Sequence, residues 1–459
     1  MLDLPSTFQR SGLIPTTLTI IFISTLSAMI SLSLANSIGK VMVKDSSNSN
    51  FKHPIEYSDV FKYHYGTHAF YATQVVFYFC VLSQCVASIV STAQVVDASI
   101  ASLFGSSYAL QFGSGSTPHD GIPLWIDSWS EGDCDGDSDD CLPFQTSLFG
   151  PVILSLGYIV TALLLLPLGL MDMKENIASQ LLSFFLLLAF LVSFTVTFLG
   201  SDDVDIHNVP LFGSSYTSLL GVVMFNFGLT ATIPAWLHEK SDTTTPSSVV
   251  WSSSILVVVL YAICGIGGGL GIRNVPDNFL AYLSAGHLGV ASQVTANLFS
   301  FFIIGLGIPL FQVVMRYNLV HSHVVSPQVG VLMTSVLPWG LSWTIYQGEG
   351  ILEVFTWSGL CLNGLVGFIL PVLVSITALK VGSGMWSGDV ESAHKHYGSS
   401  SERSVPGKHN MVIKVFPSFL VDSDEKERTA LACVGVMAAI GVVVGIVGKI
   451  STGEPDELK

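Results

Sequence analysis

Ten long apolar runs recur along the chain, and each approaches or exceeds the length that an α-helix needs to cross a bilayer. Such a crossing takes about 20 residues, because every backbone group in hydrocarbon must be hydrogen-bonded within its own segment. The runs do not alternate apolar and polar residues, as the strands of a membrane barrel do. The candidate spans are 13–38, 69–97, 148–169, 177–199, 212–236, 249–272, 287–313, 327–346, 351–379 and 429–449. The sequence therefore predicts an all-α polytopic membrane protein.

The composition supports this fold class and argues against other kinds of protein. Charged residues make up 11% of the 459 residues, whereas an ordinary soluble protein has about a quarter. The net charge of −15 is opposite in sign to the surfaces that bind nucleic acid, so we expect no nucleic-acid partner. The partner that the composition does predict is the lipid bilayer.

The distribution of Lys and Arg predicts the orientation of the chain, because these residues are enriched on the cytoplasmic side of membranes. If the segment before the first span lies outside, 14 of the 18 Lys and Arg residues fall inside. The four that fall outside are Arg10, Arg273, Lys449 and Lys459. The opposite orientation reverses the ratio, so we expect a non-cytoplasmic amino terminus.

Two long connections have distinct characters in this orientation. The acidic segment 98–147 is predicted to be an extracytoplasmic loop, and the hydrophilic segment 381–427 is predicted to be a cytoplasmic loop before the last helix. Cys134 and Cys141 flank the acidic run and could form a disulfide if that loop faces an oxidising space. No connection is long enough for an ordinary soluble domain, so we expect residues 1–459 to form one transmembrane domain.

The most informative stretch is LLGVVMFNFGLTATIPAWLHEK, residues 219–240. Phe225, Asn226, Phe227 and Gly228 place an amide and a glycine at mid-membrane depth, and Pro234 follows within two turns. Glycine lowers helix propensity and proline removes a backbone hydrogen bond. Secondary transporters use such breaks to bind polar substrate groups and ions. The alternative is a proline-kinked helix that only packs.

Other motifs do not indicate an enzyme or a metal centre. The run GIGGGLG at 265–271 matches a phosphate-binding pattern, but it lies in an apolar span, so close helix packing is the better interpretation. The alternating acids at 133–139 lack the spacing of a calcium loop. No H-E-x-x-H pattern or pair of Asp residues lies within a span. We therefore expect neither catalysis, nor a bound metal, nor an organic cofactor.

Several segments, taken in order, give the chain a resemblance to the amino acid/auxin permease family. FNFGLTATIPAWLHEK resembles the sixth helix of that family, and LPLGLMDMKENIASQLLSF resembles the link between its fourth and fifth helices. GIPLFQVVMRYNLV resembles the end of its eighth helix, and VLPWGLSWTIYQGEGILEVFTWSGL resembles its ninth-to-tenth hairpin. Each motif alone is weak, but together they cover nearly the whole chain.

The resemblance implies a leucine-transporter-type bundle, with two inverted five-helix repeats followed by an eleventh helix. It also implies secondary active transport of amino acids by alternating access, with the substrate held between two broken helices. The ammonium group would meet the carbonyls at Phe225, Asn226 and Phe227, beside Gly228. Facing helices would supply specificity through four candidate side chains, Gln74, Tyr78, Ser292 and Thr295. Each of these could equally be a packing or interhelical hydrogen-bonding residue.

The coupling ion stays open between Na⁺ and H⁺, although the resemblance favours a symporter. Gly305 and Gly307 stand near Pro309, where a sodium-coupled relative would carry a hydroxyl group. Proton coupling needs a titratable group within the membrane. His287, Glu353 and Asp97 lie near span ends, and for all three an interfacial position is the simpler interpretation.

The segment LDLPSTFQRSG resembles the outer tail of the family's first helix, whose unwound half would precede residue 1. The non-cytoplasmic amino terminus that the Lys and Arg count predicts would also be explained by one further helix before residue 1. The ten spans are then ten of an expected eleven. We therefore expect the polypeptide as written to be incomplete and to bind amino acid poorly. The alternative function is a non-transporting amino-acid sensor on the same fold. Either could reside in the plasma membrane or in a vacuolar or lysosomal membrane.

Overall fold

The computed structural model of the chain is built mainly of α-helices. It describes residues 2–43, 46–48, 50–112, 124–130, 143–144, 152–201, 203–216, 219–276, 279–284, 286–344, 346, 357–382, 415 and 424–452. The α-helices are α1 (Leu4–Ser11), α2 (Leu13–Gly39), α3 (Tyr57–Tyr65), α4 (Thr67–Phe104), α5 (Leu156–Leu170), α6 (Ile177–Leu199), α7 (Leu219–Asn226), α8 (Ile233–Glu239), α9 (Pro246–Gly271), α10 (Phe279–Ser284), α11 (Val290–Phe299), α12 (Gly307–Val320), α13 (Pro327–Val331), α14 (Leu337–Thr344), α15 (Leu370–Gly382) and α16 (Asp424–Thr452). Short 3₁₀ turns span Ile206–Asn208 and Leu229–Thr232, and π-helical segments span Ser300–Gly305, Leu332–Val336 and Ser358–Ile369.

Eight helical segments in the described part of the chain have the length and apolar composition that a membrane crossing needs. Several have outward faces covered with large apolar side chains, such as Phe185, Val192 and Val196 on α6. Only 22% of the most apolar part of α6 is buried. An apolar face this extensive requires lipid rather than water. The protein is a multi-pass integral membrane protein, as its sequence predicted.

The ten predicted spans each coincide with helical structure, although two do not reach the length or apolar character of the other eight. One is α5, which has 15 residues, and the other is the composite segment from α13 to α14. The predicted span 148–169 also begins too early, because Val152–Ser155 is a strand.

A small antiparallel sheet at one end of the bundle was not predicted. Strands β1 (Met42–Val43) and β2 (Ser46–Ser47) form a short separate pair. The larger sheet has the order β4–β3–β5, with β3 at Ser107–Phe112, β4 at Leu124–Trp129 and β5 at Val152–Ser155. The expected loop 98–147 also begins later than predicted, because α4 continues to Phe104. The rest of that segment, apart from 124–130 and 143–144, lies outside the described residues.

The glycine run 265–271 packs helices closely together, as the sequence analysis predicted. A Cβ atom on Gly265 would lie 2.5 Å from the ring of Phe8, and one on Gly268 would lie 2.7 Å from the ring of Pro5. Both partners belong to α1, which therefore lies directly against α9. The glycines allow this close backbone approach, which no larger residue would permit.

We expect Gly268→Ala to lower the thermal unfolding midpoint, because the added methyl group would displace Pro5 at a cost of about 1–3 kcal/mol. Gly267→Ala is the matched control, since nothing lies within 4 Å of the position of its Cβ atom. A thermal melt of both purified variants in detergent measures the difference. Equal midpoints would contradict the close packing of α1 on α9.

A buried arginine joins the end of α5 to α12. The guanidinium of Arg316 on α12 donates to the carbonyl oxygen of Gly169 at 2.9 Å and to that of Met171. It also lies 3.4 Å from the carboxylate of Asp172. The last carbonyl groups of a helix have no partner within it, so this contact satisfies the end of α5 and fixes it to α12.

Candidate functional site

The predicted interruption within residues 219–240 is confirmed. Helix α7 ends at Asn226, a 3₁₀ turn runs from Leu229 to Thr232, and α8 begins at Ile233. Pro234 occupies the first turn of α8, where its missing N–H costs nothing. The glycine and the proline thus interrupt the α-helical hydrogen bonding of this one apolar span and divide it into α7 and α8.

We call the interruption between Asn226 and Ile233 the break. Side chains from neighbouring helices form hydrogen bonds with the backbone groups that it leaves without a partner inside the helix. The hydroxyl of Ser27 on α2 donates to the carbonyl of Phe227 at 2.8 Å, and the hydroxyl of Tyr261 on α9 donates to that of Asn226 at 3.2 Å. Ser31 and Thr230 share a hydrogen bond of 3.2 Å beside them. These hydrogen bonds stabilise the break, because a continuous helix would satisfy the same backbone groups by itself.

An asparagine that the sequence analysis did not single out faces the break. Asn363 lies on the π-helical segment Ser358–Ile369 and is 1% exposed. Its amide nitrogen donates to the carbonyl of Met224 at 3.4 Å, and a Cβ atom on Gly228 would lie 2.9 Å from its amide group. The Oδ1 atom of Asn363 has no hydrogen-bond partner among the described residues. The feature that could have identified it from the sequence is that it is the single Asn in the apolar run 357–379.

The break is only partly closed. Phe227 and Thr230 are buried, whereas Asn226 and Gly228 are half-buried and Leu229 is exposed. The amide of Asn226 donates back to the carbonyl of Val222 at 2.8 Å. An unpartnered amide oxygen beside half-exposed backbone is a place where a small polar molecule could exchange hydrogen bonds with the protein.

Two predicted specificity residues on α4 are engaged by other helices. The amide of Gln74 donates to the carbonyl of Asn318 at 3.2 Å and accepts from the hydroxyl of Ser58. The hydroxyl of Tyr78 donates to the carbonyl of Met333 at 2.8 Å. These hydrogen bonds go to α3, α12 and the segment after α13 rather than to residues 225–228. A substrate contact for either residue stays a prediction.

The other two predicted specificity residues lie on α11. The hydroxyl of Thr295 donates to the carbonyl of Ala291 at 2.8 Å and lies 3.0 Å from that of Ser193 on α6. Ser292 is completely buried, and its hydroxyl has no partner among the described residues. Of the four, Ser292 is the one whose side chain has no hydrogen-bond partner among the described residues, and its role in a substrate site stays a prediction.

The three titratable groups that were weighed as proton carriers have different environments. Asp97 is completely buried in α4 and accepts four hydrogen bonds, from Ser107 at 2.6 Å, from the Gly157 backbone at 2.8 Å, and from Ser155 and Tyr346. His287 stacks on Tyr282 at 4.5 Å. Glu353 lies outside the described residues. Asp97 is thus a buried acceptor of hydrogen bonds, and its position at the membrane interface stays a prediction.

Cysteine and metal chemistry contribute little within the described structure. Cys80, Cys85 and Cys264 are buried, whereas Cys361 is half-buried and Cys433 is exposed on α16. Cys134 and Cys141 lie outside the described residues. In the described ranges, no group of three or more His, Cys, Asp or Glu side chains is placed to hold a metal ion.

Comparison with known proteins adds no independent support. No protein-family model matches the chain, and no curated protein sequence matches it. The function has to be argued from the chain's own residues and from the arrangement of its helices.

Proposed function

We propose that this protein is a secondary active transporter of amino acids of the amino acid/auxin permease type, working by alternating access. The observation that carries the proposal is the division of one apolar span into α7 and α8 at Asn226–Leu229. Broken helices within a bilayer are costly unless their freed backbone groups are buried in protein or line a cavity. In secondary transporters they hold polar substrate groups near the midplane.

The chemistry of the break suits a small zwitterion. The unpartnered oxygen of Asn363 is an acceptor for the ammonium group of such a molecule. The hydroxyl of Ser292 is a further candidate, because it is buried without a partner in the described structure. We propose a leucine-transporter-type inverted repeat as the arrangement around this site, in the plasma membrane or in a vacuolar or lysosomal membrane.

Uptake of radiolabelled L-amino acids tests the proposal. The protein, expressed from its native transcript and reconstituted in vesicles, should accumulate at least one amino acid above empty vesicles when an ion gradient is applied. A panel of Na⁺ and H⁺ gradients identifies the coupling ion. Binding without accumulation would support the sensor instead, and neither binding nor accumulation would refute both functions.

A further inference from the structure

A second polar cluster lies at the Lys- and Arg-rich end of the bundle, where α3 begins and α12 ends. The Oε1 atom of Glu56 lies 2.8 Å from Nδ1 of His321. Glu56 is 2% exposed, although it precedes a surface-type amphipathic helix. His321 directly follows α12 and is half-buried. A buried carboxylate is costly without a partner, so this pair holds two chain segments together.

Neighbouring residues extend the contact between the two helix ends. Asp59 forms a reciprocal capping box with Glu56 and accepts a hydrogen bond of 2.9 Å from the hydroxyl of Ser322. The Oγ atom of Ser58, which donates its proton to Gln74, lies 2.9 Å from the side-chain amide of Asn318. Helix α3 is therefore fastened to α12 by three side-chain contacts in four residues.

Helix α3 also reaches the segment that faces the break. The hydroxyl of Tyr57 donates to the carbonyl of Val366 at 2.7 Å, and its ring stacks on Phe77 at 4.9 Å. Val366 lies three residues after Asn363 on the same π-helical segment. A movement of α3 would consequently be transmitted to the helix surface that contacts Gly228.

Two adjoining cavities lie beside this pair. They measure about 550 and 350 Å³ and share the lining residues Pro54, His321, His323 and Val324. The smaller cavity also contacts Asp59 and Lys62. Space of this size beside polar groups admits water, so protons can reach His321 from the cytoplasmic side.

We propose that Glu56 and His321 form a proton-binding site that fastens α3 across the cytoplasmic end when the proton is bound and releases it when the proton leaves. With the proton bound, the imidazolium N–H donates to the carboxylate, and the two opposite charges attract each other across a largely buried contact. When the proton leaves to water in the cavity, the ring becomes neutral and Glu56 loses its counter-charge, so its burial becomes costly and α3 is released.

The charges around the pair determine the direction of the pH dependence. The hydrogen bond with Glu56 raises the pKa of His321, and Asp59 and Glu239 raise it further. Burial raises the pKa of Glu56, so this carboxylate depends on the imidazolium to stay ionised. The ion pair of Glu56 and His321 is therefore fully formed below the ordinary histidine pKa, and it is lost as the pH rises through the raised pKa of His321.

Other titratable groups lie near Glu56 and His321. His238 and Glu239 approach from α8; the His238 ring lies 6.2 Å from that of His321, and Glu239 pairs with Lys174 at 2.9 Å. Tyr317 stacks on His321 at 4.5 Å. His64 is neutral throughout the relevant range, because burial lowers its pKa to about 4.

Thiol labelling tests this inference without a transport measurement, so it can fail while the proposed function stands. Val60 on α3 is completely buried, so the thiol of Val60→Cys can be labelled only when α3 moves away from the helices that cover it. We expect its labelling by a maleimide, relative to the same unfolded variant, to rise about tenfold between about pH 6 and about pH 8. Val90→Cys on α4, also completely buried, should stay unreactive throughout.

Substitutions at the pair decide the outcome. In the Val60→Cys protein, His321→Gln should remove the pH dependence, and Glu56→Gln should give high labelling already at the acidic end. His53→Gln is the matched control, because His53 lines the same cavity and is exposed. An unchanged pH dependence in His321→Gln, no pH dependence in the Val60→Cys parent, or parallel labelling of Val90→Cys would overturn the inference.

Discussion

Replacement of Asp97 by alanine is expected to leave little folded protein. The carboxylate is completely buried and accepts hydrogen bonds from Ser107, Ser155, Tyr346 and the Gly157 backbone. Each buried donor left without a partner costs about 1–3 kcal/mol, so the variant should lose at least about 3 kcal/mol of stability. Fluorescence-detected size-exclusion chromatography of the expressed protein measures the folded fraction.

Two further variants distinguish a structural role of Asp97 from a role in proton transfer. Asp97→Asn keeps one acceptor oxygen and should give an intermediate folded fraction, whereas Asp203→Ala should resemble the parent because Asp203 is exposed. If Asp97→Ala folds normally but abolishes the pH dependence of transport, Asp97 is a proton carrier and the structural interpretation is wrong.

The double substitution Asn226→Leu with Gly228→Ala is expected to abolish transport while leaving expression intact. Leucine and alanine restore helix propensity at the break, and the alanine methyl group would lie 2.9 Å from the amide of Asn363. A displacement of about 1 Å in a positioned site can cost about 100-fold in rate. Initial uptake rates in vesicles, normalised to the amount of protein, measure the loss.

A glycine on α12, outside the break, gives the matched control. Gly307→Ala adds the same methyl group two residues before Pro309, where nothing lies within 4 Å, and should keep parental uptake. Unchanged uptake in the double variant would mean that α7 and α8 are only a kinked packing helix, which was the alternative interpretation of the sequence.

The helices were predictable from the sequence where their ends carry local signals. The predicted span 177–199 coincides with α6, which is bounded by Asn176 and Gly200. The break was predictable for the same reason, because Gly228 and Pro234 act through their own backbone. In contrast, the prediction ended the second span at Asp97, since a carboxylate within an apolar helix is costly. The helix continues to Phe104 because distant residues satisfy that carboxylate.

Tertiary contacts account for what the sequence did not predict. The strand Ser107–Phe112 is too short to recognise alone and becomes a strand by pairing with Leu124–Trp129 and Val152–Ser155. Asn363 faces Gly228 across a separation of more than a hundred residues, so neither residue indicates the other. The pair of Glu56 and His321 was missed for the same reason.

Substrate protection at the break tests the central claim most directly. Leu229 is exposed immediately after the interruption, and the account predicts that a maleimide reaches Leu229→Cys through the substrate path in protein expressed from its native transcript. We predict that a mixture of L-amino acids slows this labelling in a saturable way, whereas an equal concentration of mannitol does not. Identical labelling rates with and without amino acids, in protein that still transports them, would place the substrate elsewhere and contradict the account.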